Sequence, residues 1–477
     1  MTQTRRELLG SLGIASAATL LWACGASAPT IRRDPLARDD IRGWLRDAVA
    51  RLAAVYPAVH VLAVTRQRTT AAIDVLGTGV ARVRRDGVVL GVRDRDGMWR
   101  EQVTSDLSAT GVLAAVRVLV GPATQRATIS FPEPPPRPKA PVALNDLALK
   151  ARVAEVVKRD DMLNSRIVYA ASLIDIDDAL VWSMSPLHDR EQRLVRVRKR
   201  AVRAAWSGSR PVVCQAERGW IGGVDDHAIA QADIEAATAG ALLLTTPGGF
   251  DDGERDVILD PSVTASLVDA GTRAVLTTTA ARRPEVARRL AIGASFAAPM
   301  ITLVDDPTVR GAYGSFAFDD EGAPATPQTL IEGGRVVGIL GDRGRGRARR
   351  PGHVGGLEPA PSHLRVAPGT VSHEALREDG FALEGGHFAV IDPSTDRVVI
   401  GAARARELKG GVETGRVFAE VELVGSLASI LAGVRGVGKE TSVFPYRDEV
   451  DGEPRWRSVE APYLRTRGFV RGRRRRT

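Results

Sequence analysis

Ile301-Thr302-Leu303-Val304-Asp305-Asp306-Pro307, with Gly314-Ser315-Phe316-Ala317-Phe318-Asp319-Asp320-Glu321-Gly322 close behind it, is the most specific pattern in this chain. An apolar run ends in Asp-Asp-Pro, and a second ends in Asp-Asp-Glu-Gly. On residue type alone both acidic endings read as turns or calcium-loop-like segments, because Asp and Gly favour turns whatever the function. The pattern continues through Thr329-Leu330-Ile331-Glu332-Gly333-Gly334 to Gly338-Ile339-Leu340.

Around this stretch lies a chain of 477 residues, long enough for two or three domains, and 44% apolar content fits an ordinary globular protein and excludes a disordered one. The net charge of +9 is carried mainly by arginine, including Arg473, Arg474, Arg475 and Arg476. Such a run raises nucleic acid or anionic lipid as partners. No aromatic residues are interleaved with it for base stacking, so it reads as a solvated tail.

At the other end, Arg5 and Arg6 precede an apolar stretch from Leu8 to Trp22 that is short for a membrane span. Thr4-Arg5-Arg6-Glu7-Leu8-Leu9 looks like a twin-arginine export signal, and Leu21-Trp22-Ala23-Cys24 resembles a lipobox in which Cys24 is the lipid attachment residue. Simple cleaved secretion and an uncleaved apolar start are the alternatives. With Cys24 set aside, Cys214 is the only other cysteine, so an intramolecular disulfide is excluded and stability must come from packing.

Ile41 to Val55 carries apolar residues at helical spacing. Val59 to Val64, Ala71 to Leu76, Gly79 to Val83 and Val88 to Val92 are short β-prone runs that suit an antiparallel sheet. Leu107 to Val120 and Leu144 to Val157 are helical, Ile167 to Ile174 and Ala179 to Met184 β-prone, and Ala228 to Leu244 a long helix. Pro132 to Pro138 reads as a stiff linker or exposed loop.

Several chemistries have no support. Gly433-Val434-Arg435-Gly436-Val437-Gly438-Lys439-Glu440 nearly spells a phosphate-binding loop, but Glu440 stands where a hydroxyl is needed and Pro445 blocks a long following helix. No Gly-x-Ser-x-Gly elbow is present. The seven histidines, at 60, 188, 227, 353, 363, 373 and 387, are scattered, and no two lie one helical turn apart. Each reads as a surface or core histidine, and a composite site drawn from distant ones stays open.

Asp256-Val257-Ile258-Leu259-Asp260-Pro261, together with the two acidic stretches and the segment from Thr329 to Leu340, resembles the TldD/PmbA family of metallopeptidase-related proteins. In that family the strand and turn lead into a helix carrying HExxxH, and a cysteine near the carboxyl end is a third ligand. Here Leu267-Val268-Asp269-Ala270-Gly271-Thr272-Arg273 puts Val268 and Arg273 at the ligand positions and Asp269 at the general-base position, while Gly436-Val437-Gly438-Lys439 has Val437 in place of the thiol. Valine has no lone pair, and arginine would bring a fixed positive charge to the place of a dication. Asp269 keeps a carboxylate with no metal-bound water to deprotonate. The Arg- and Gly-rich segment from Arg343 to Gly356 also departs from the family pattern.

The resemblance implies an α+β protein of two domains, an α/β amino-terminal one and a carboxy-terminal one built on antiparallel sheets, assembled as a dimer around a peptide-binding cleft. The chain then divides into a signal at 1–24, an amino-terminal region at 38–131, a Pro-rich linker or loop at 132–141, a central α/β region at 142–250, a carboxy-terminal domain at 251–468 and an Arg-rich tail at 469–477. The expected role is a non-catalytic subunit without metal, zinc belonging to active relatives only. It would pair with itself or with a metal-bearing homologue, engage a flexible peptide and no nucleic acid, and be exported to the cell envelope or periplasm on a lipid anchor. An active peptidase with a non-standard site, with Asp269 as base, and an envelope scaffold that keeps only the fold are the alternatives.

Overall fold

The computed structural model describes residues 40–74, 77–122, 125–133, 144–158, 166–207, 210–245, 248–341, 359–450 and 453–472. The amino-terminal signal with Cys24, most of the Pro-rich segment, the Arg343–Gly356 stretch and the terminal arginine run lie outside them.

The amino-terminal half is one six-stranded antiparallel sheet in the order β3-β2-β1-β4-β5-β6. Its strands are β1 (Ala58–Asp74), β2 (Gly77–Arg93), β3 (Trp99–Thr104), β4 (Ile167–Ser185), β5 (His188–Ser207) and β6 (Arg210–Ile221). Segments 38–131 and 142–250 therefore feed one sheet. β1 and β4 are each continuous, whereas the sequence reading broke each in two at a polar stretch: Arg66-Gln67-Arg68-Thr69-Thr70 in β1, and Asp175-Ile176-Asp177-Asp178 in β4. Alternate residues of those stretches face the second domain, so their polarity marks a contact surface and not a turn.

Helices cover the other face of the sheet. Helix α1 (Ile41–Ala53) lays Ile41, Leu45, Val49 and Leu52, all with no exposure, on Val61, Ala63, Val88, Leu90 and Trp182, and α2 (Ala109–Val120) adds Val112 and Val116. The α1 residues are spaced three and four apart, as an amphipathic face requires. Ser108 caps α2 by accepting from Gly111 N at 3.0 Å. Helices α3 (Asp146–Lys158) and α4 (Gln231–Leu243) continue the layer over Ile174, Val195 and Val197 and over Ala201 and Ala216.

The second half holds β7 (Gly253–Leu259), α5 (Pro261–Val275), α6 (Thr278–Ala281), α7 (Pro284–Arg289), β8 (Leu303–Asp305), β9 (Gln328–Glu332), β10 (Arg335–Val336), β11 (His363–Val366), β12 (Gly380–Asp392), β13 (Arg397–Lys409), β14 (Val412–Ser426), α8 (Leu427–Ala432), β15 (Gly436–Val450) and β16 (Glu453–Gly472). Its sheet runs β10-β9-β8-β11-β16-β14-β13-β12-β7, and β7 also pairs with β16, so β16, β14, β13, β12 and β7 close into a ring. Gly472 is paired with Val421 inside that ring. Residues 469–472, read from sequence as the start of a solvated tail, belong to the sheet because Val470, with no exposure, continues the buried face of Leu464 and Thr466 along the ladder.

The stretch that opened the reading is the seam between the halves. Gln192 of β5 donates to Phe318 O at 2.9 Å and accepts from Ala317 N at 2.9 Å, while Arg196 donates to the carbonyls of Tyr313 and Ser315. A Cβ at Gly314 would lie 1.8 Å from Ser362 O, so only glycine fits there. Both acidic endings are structural. Asp305 Oδ1 accepts from Ser362 N, Ser362 Oγ and His363 N, and Asp319 Oδ1 accepts from Glu321 N and Ala323 N, which closes a turn. Among the described residues no helix is long and apolar enough to cross a membrane.

Candidate functional site

Helix α5 carries three of the four residues singled out from sequence, and its start is built by Asp260. One carboxylate oxygen accepts from Val263 N at 2.8 Å and Ser262 Oγ at 2.6 Å, the other from Gly385 N at 3.0 Å, and Ser262 Oγ accepts from Gly386 N at 2.7 Å. The cap thus fixes the helix and ties it to β12, with Pro261 suited to the first turn. Beyond it every residue from Val263 to Thr272 is buried. Val263, Leu267 and Val275 pack on Leu259, Leu383, Ile400, Leu423 and Leu464 of the strands around them. Each such aliphatic side chain contributes about 1.5–3 kcal/mol.

Val268 lies in this apolar packing and lines a cavity of 30 Å³ with Leu276, Phe296, Leu427 and Leu464. Val437, 4% exposed, belongs to the same core and sits opposite Leu464 in the β15–β16 ladder. Neither side chain offers a donor atom. Asp269 and Arg273 are together: Arg273 Nε donates to Asp269 Oδ2 at 3.0 Å.

A third residue, unnoticed in the sequence, completes the group. Arg457 of β16 grips Asp269 through Nε to Oδ1 at 2.7 Å and Nη2 to Oδ2 at 3.2 Å, and its Nη1 donates to Asp448 Oδ1 at 2.6 Å. Asp269 and Arg457 are 2% and 3% exposed, so the pair is desolvated. Burial works against the Asp269 carboxylate, but Arg457 and Arg273 outweigh it and hold the group below the usual carboxylate range. Burial likewise works against the Arg457 charge, and Asp269 outweighs it and raises its pKa. Tyr446, whose hydroxyl lies 3.3 Å from Ser266 Oγ, closes the near side, and burial raises its pKa.

The adjacent residue extends this contact to the other half of the chain. Trp456 lies between the guanidinium groups of Arg66, 4.7 Å from its ring centroid, and Arg196, 4.5 Å away. Neighbouring residues on a strand face opposite ways, so Trp456 reaches the amino-terminal sheet while Arg457 reaches α5. The signal missed in sequence was the alternation in Arg196-Val197-Arg198-Lys199-Arg200, which places three arginines on one face of β5.

The arrangement does not fit a zinc ion at this place. Two of the positions are apolar, one is a guanidinium, and the carboxylate has both oxygens committed to arginine N–H groups. A base so engaged, with a lowered pKa, is a poor proton acceptor.

A cleft of about 1470 Å³ lies between the amino-terminal sheet and the carboxy-terminal domain. One wall is β6, where Pro211 through Glu217 all line the space, and facing it are Ser262, Gly386, His387 and Phe444. β6 is the last strand of its sheet, so one edge of its backbone is turned away from β5. None of Val268, Asp269, Arg273 and Val437 lines the cleft. Asp177, on its inner wall, is pushed up by burial against the pull of Arg66 and Arg196.

Residues 252–472 match the family described as the PmbA/TldA metallopeptidase C-terminal domain. A metalloprotease of Methanothermobacter thermautotrophicus is 25% identical over 205 residues, 39% of this chain and 43% of that protein. A metalloprotease TldD homologue of Haemophilus influenzae is 24% identical over 178 residues, 32% of this chain and 37% of that protein. The chain thus spans less than half the length of these curated relatives. Similarity of fold extends further: TldE from Thermococcus kodakarensis superposes with a TM-score of 0.69 at 16% identity, over 90% of this chain and 100% of that one. A modulator of DNA gyrase from Bacteroides thetaiotaomicron gives 0.69 at 16%, over 91% and 98%. The α+β architecture, the matched carboxy-terminal domain and the metalloprotease relatives agree with the resemblance read from the sequence, and through its carboxy-terminal domain, residues 252–472, the chain belongs to the TldD/PmbA family.

Proposed function

We propose that this chain is a non-catalytic TldD/PmbA-family subunit that holds a flexible peptide for a metal-bearing homologue. The observation that carries the reading is the Asp269–Arg457 pair: at the position that the resemblance gives to the base, the chain has a buried carboxylate neutralised by arginine, and the Val268 beside it offers no donor atom. The exposed edge of β6 along the cleft supports a peptide partner, because an extended segment adds to such an edge through main-chain hydrogen bonds. Export and lipid attachment at Cys24, as the amino-terminal sequence reads, would place this work at the cell envelope.

The test uses the untagged mature chain, a labelled flexible peptide and zinc in the buffer. Binding without cleavage is expected, with cleavage appearing on addition of a homologue that carries HExxxH. Chelator-sensitive cleavage by the chain alone would overturn the proposal. Cys214→Pro and Gln215→Pro locate the peptide: adjacent N–H groups point to opposite sides of a strand, so one variant breaks the ladder to β5 and the other blocks only the outer edge. The second kind should stay folded and lose peptide binding by about tenfold or more.

A further inference from the structure

The geometry points to a divalent transition-cation site, independent of the Asp269 group, formed by His373, Glu374 and Glu440. One ligand atom from each of these side chains lies within 4.8 Å of the other two. Sequence reading did not group them because Glu440 lies 67 residues beyond His373. The fold joins them where the strap that precedes β12 lies along the first residues of β15. Gly369 N donates to Gly438 O at 2.9 Å and Lys439 N to Val371 O at 2.8 Å. A Cβ at Gly369 would stand 2.0 Å from Val437 O, so glycine is what lets the strap come this close.

Each donor is held in place for its own reason. The His373 ring stacks on Tyr463, centroids 4.8 Å apart and planes 20° from parallel, which sets the imidazole plane. Glu440 Oε2 accepts from His373 N at 3.0 Å, and Glu374 Oε1 lies 3.0 Å from His373 Nδ1. Two carboxylates offset the charge of a dication, and an imidazole adds the borderline donor that favours zinc over calcium or magnesium. Ligand atoms around tetrahedral zinc stand about 3.4 Å apart, a spacing that small rotations of the two glutamates reach from here. Their side chains are 65% and 38% exposed, so a hydrated ion has access. Three protein donors would leave a position for water or an external ligand. Binding would pin the strap, with the Leu376 that it buries against Ile258, Ala382 and Leu408, onto β15.

The experiment is a Zn²⁺ titration of the untagged mature chain, first stripped with chelator and exchanged into buffer, followed by calorimetry and by Tm, with Co²⁺ absorption reporting the coordination. The expected result is one Zn²⁺ per chain, a rise in Tm with added Zn²⁺, and a loss of affinity of at least about tenfold in both His373→Ala and Glu440→Gln, while His387→Ala binds as the parent does. His373→Gln, which keeps size and polarity, serves if the alanine variant misfolds. No heat and no Tm shift in excess Zn²⁺ would overturn the proposal, as would equal binding by parent and variants. Zinc binding without cleavage leaves the proposed function standing. Cleavage that disappears with His373→Ala keeps the metal site and overturns the non-catalytic reading.

Discussion

Arg457 holds Asp269 side-on, through Nε and Nη2, although the two lie 188 residues apart and on different elements. Arg273, one helical turn along α5, reaches the same carboxylate from its more exposed side. The carboxylate that the resemblance alone sets at the general-base position is therefore half of a buried ion pair.

Breaking that pair one side at a time should cost far more than removing it. Asp269→Asn removes the buried counter-charge of a guanidinium that is 3% exposed and leaves it only the more exposed Asp448, with an expected loss of about 3 kcal/mol in urea unfolding. The double variant Asp269→Leu, Arg457→Met should lose less than either single change. Additive losses would show that the two side chains stabilise the fold separately.

His188 and Asp269 should each weaken the protein in acid, with the same sign. His188 bonds Ser183 and Ser185, and burial lowers its pKa to about 4 from an ordinary 6.5. Between those values the unfolded chain takes up a proton that the folded chain refuses, so stability falls as pH drops from 6.5 toward 4. Asp269, lowered in the fold, adds a further loss as pH falls below the ordinary carboxylate value. A Tm profile should show both losses, and His188→Gln should shrink the upper one while leaving the part due to His363, whose pKa burial also lowers.

The contact between the two halves has a tight point at Gly219 of β6. A Cβ there would meet Pro445 Cβ at 2.6 Å and the Tyr313 ring at 3.0 Å. Gly219→Ala should cost about 1–3 kcal/mol by overpacking. Because the strain falls on β6, peptide affinity should fall along with Tm.

Asp260 serves both the helix that carries Asp269 and the strand beside it. Asp260→Ala removes the cap and leaves Gly385 N without its acceptor, for an expected loss of about 1–2 kcal/mol. Asp260→Asn should recover part of it. Equal stability of all three proteins would show that water replaces the carboxylate without cost.

What sequence could reveal differed by element. Helix α1 was legible because its apolar residues repeat at helical spacing, and the start of α5 because Asp-Pro both caps and begins a helix. β1 and β4 were read as broken because the sheet's second face is covered by another domain, where arginine and aspartate partner each other and local polarity no longer means solvent. At the site, that Val268, Arg273 and Val437 offer no lone pair to a metal was legible residue by residue. Arg457 was not, since nothing local distinguishes it from other strand arginines; only the pairing of β16 brings it to α5. The His373, Glu374 and Glu440 group escaped for the same reason.

Closure of the ring by β16 sets an order on folding. Gly472 donates to Asp252, 220 residues earlier, and β16 is the partner of β7, β11, β14 and β15 alike. The central strand of the domain thus follows every one of its partners in the chain. Until it is in place, α5 and the strands around it lack the surface that buries them, and the domain closes late, by contacts distant in sequence and slow to find. Truncation within β16 should leave an aggregation-prone chain in which the six-stranded sheet is the only element able to persist.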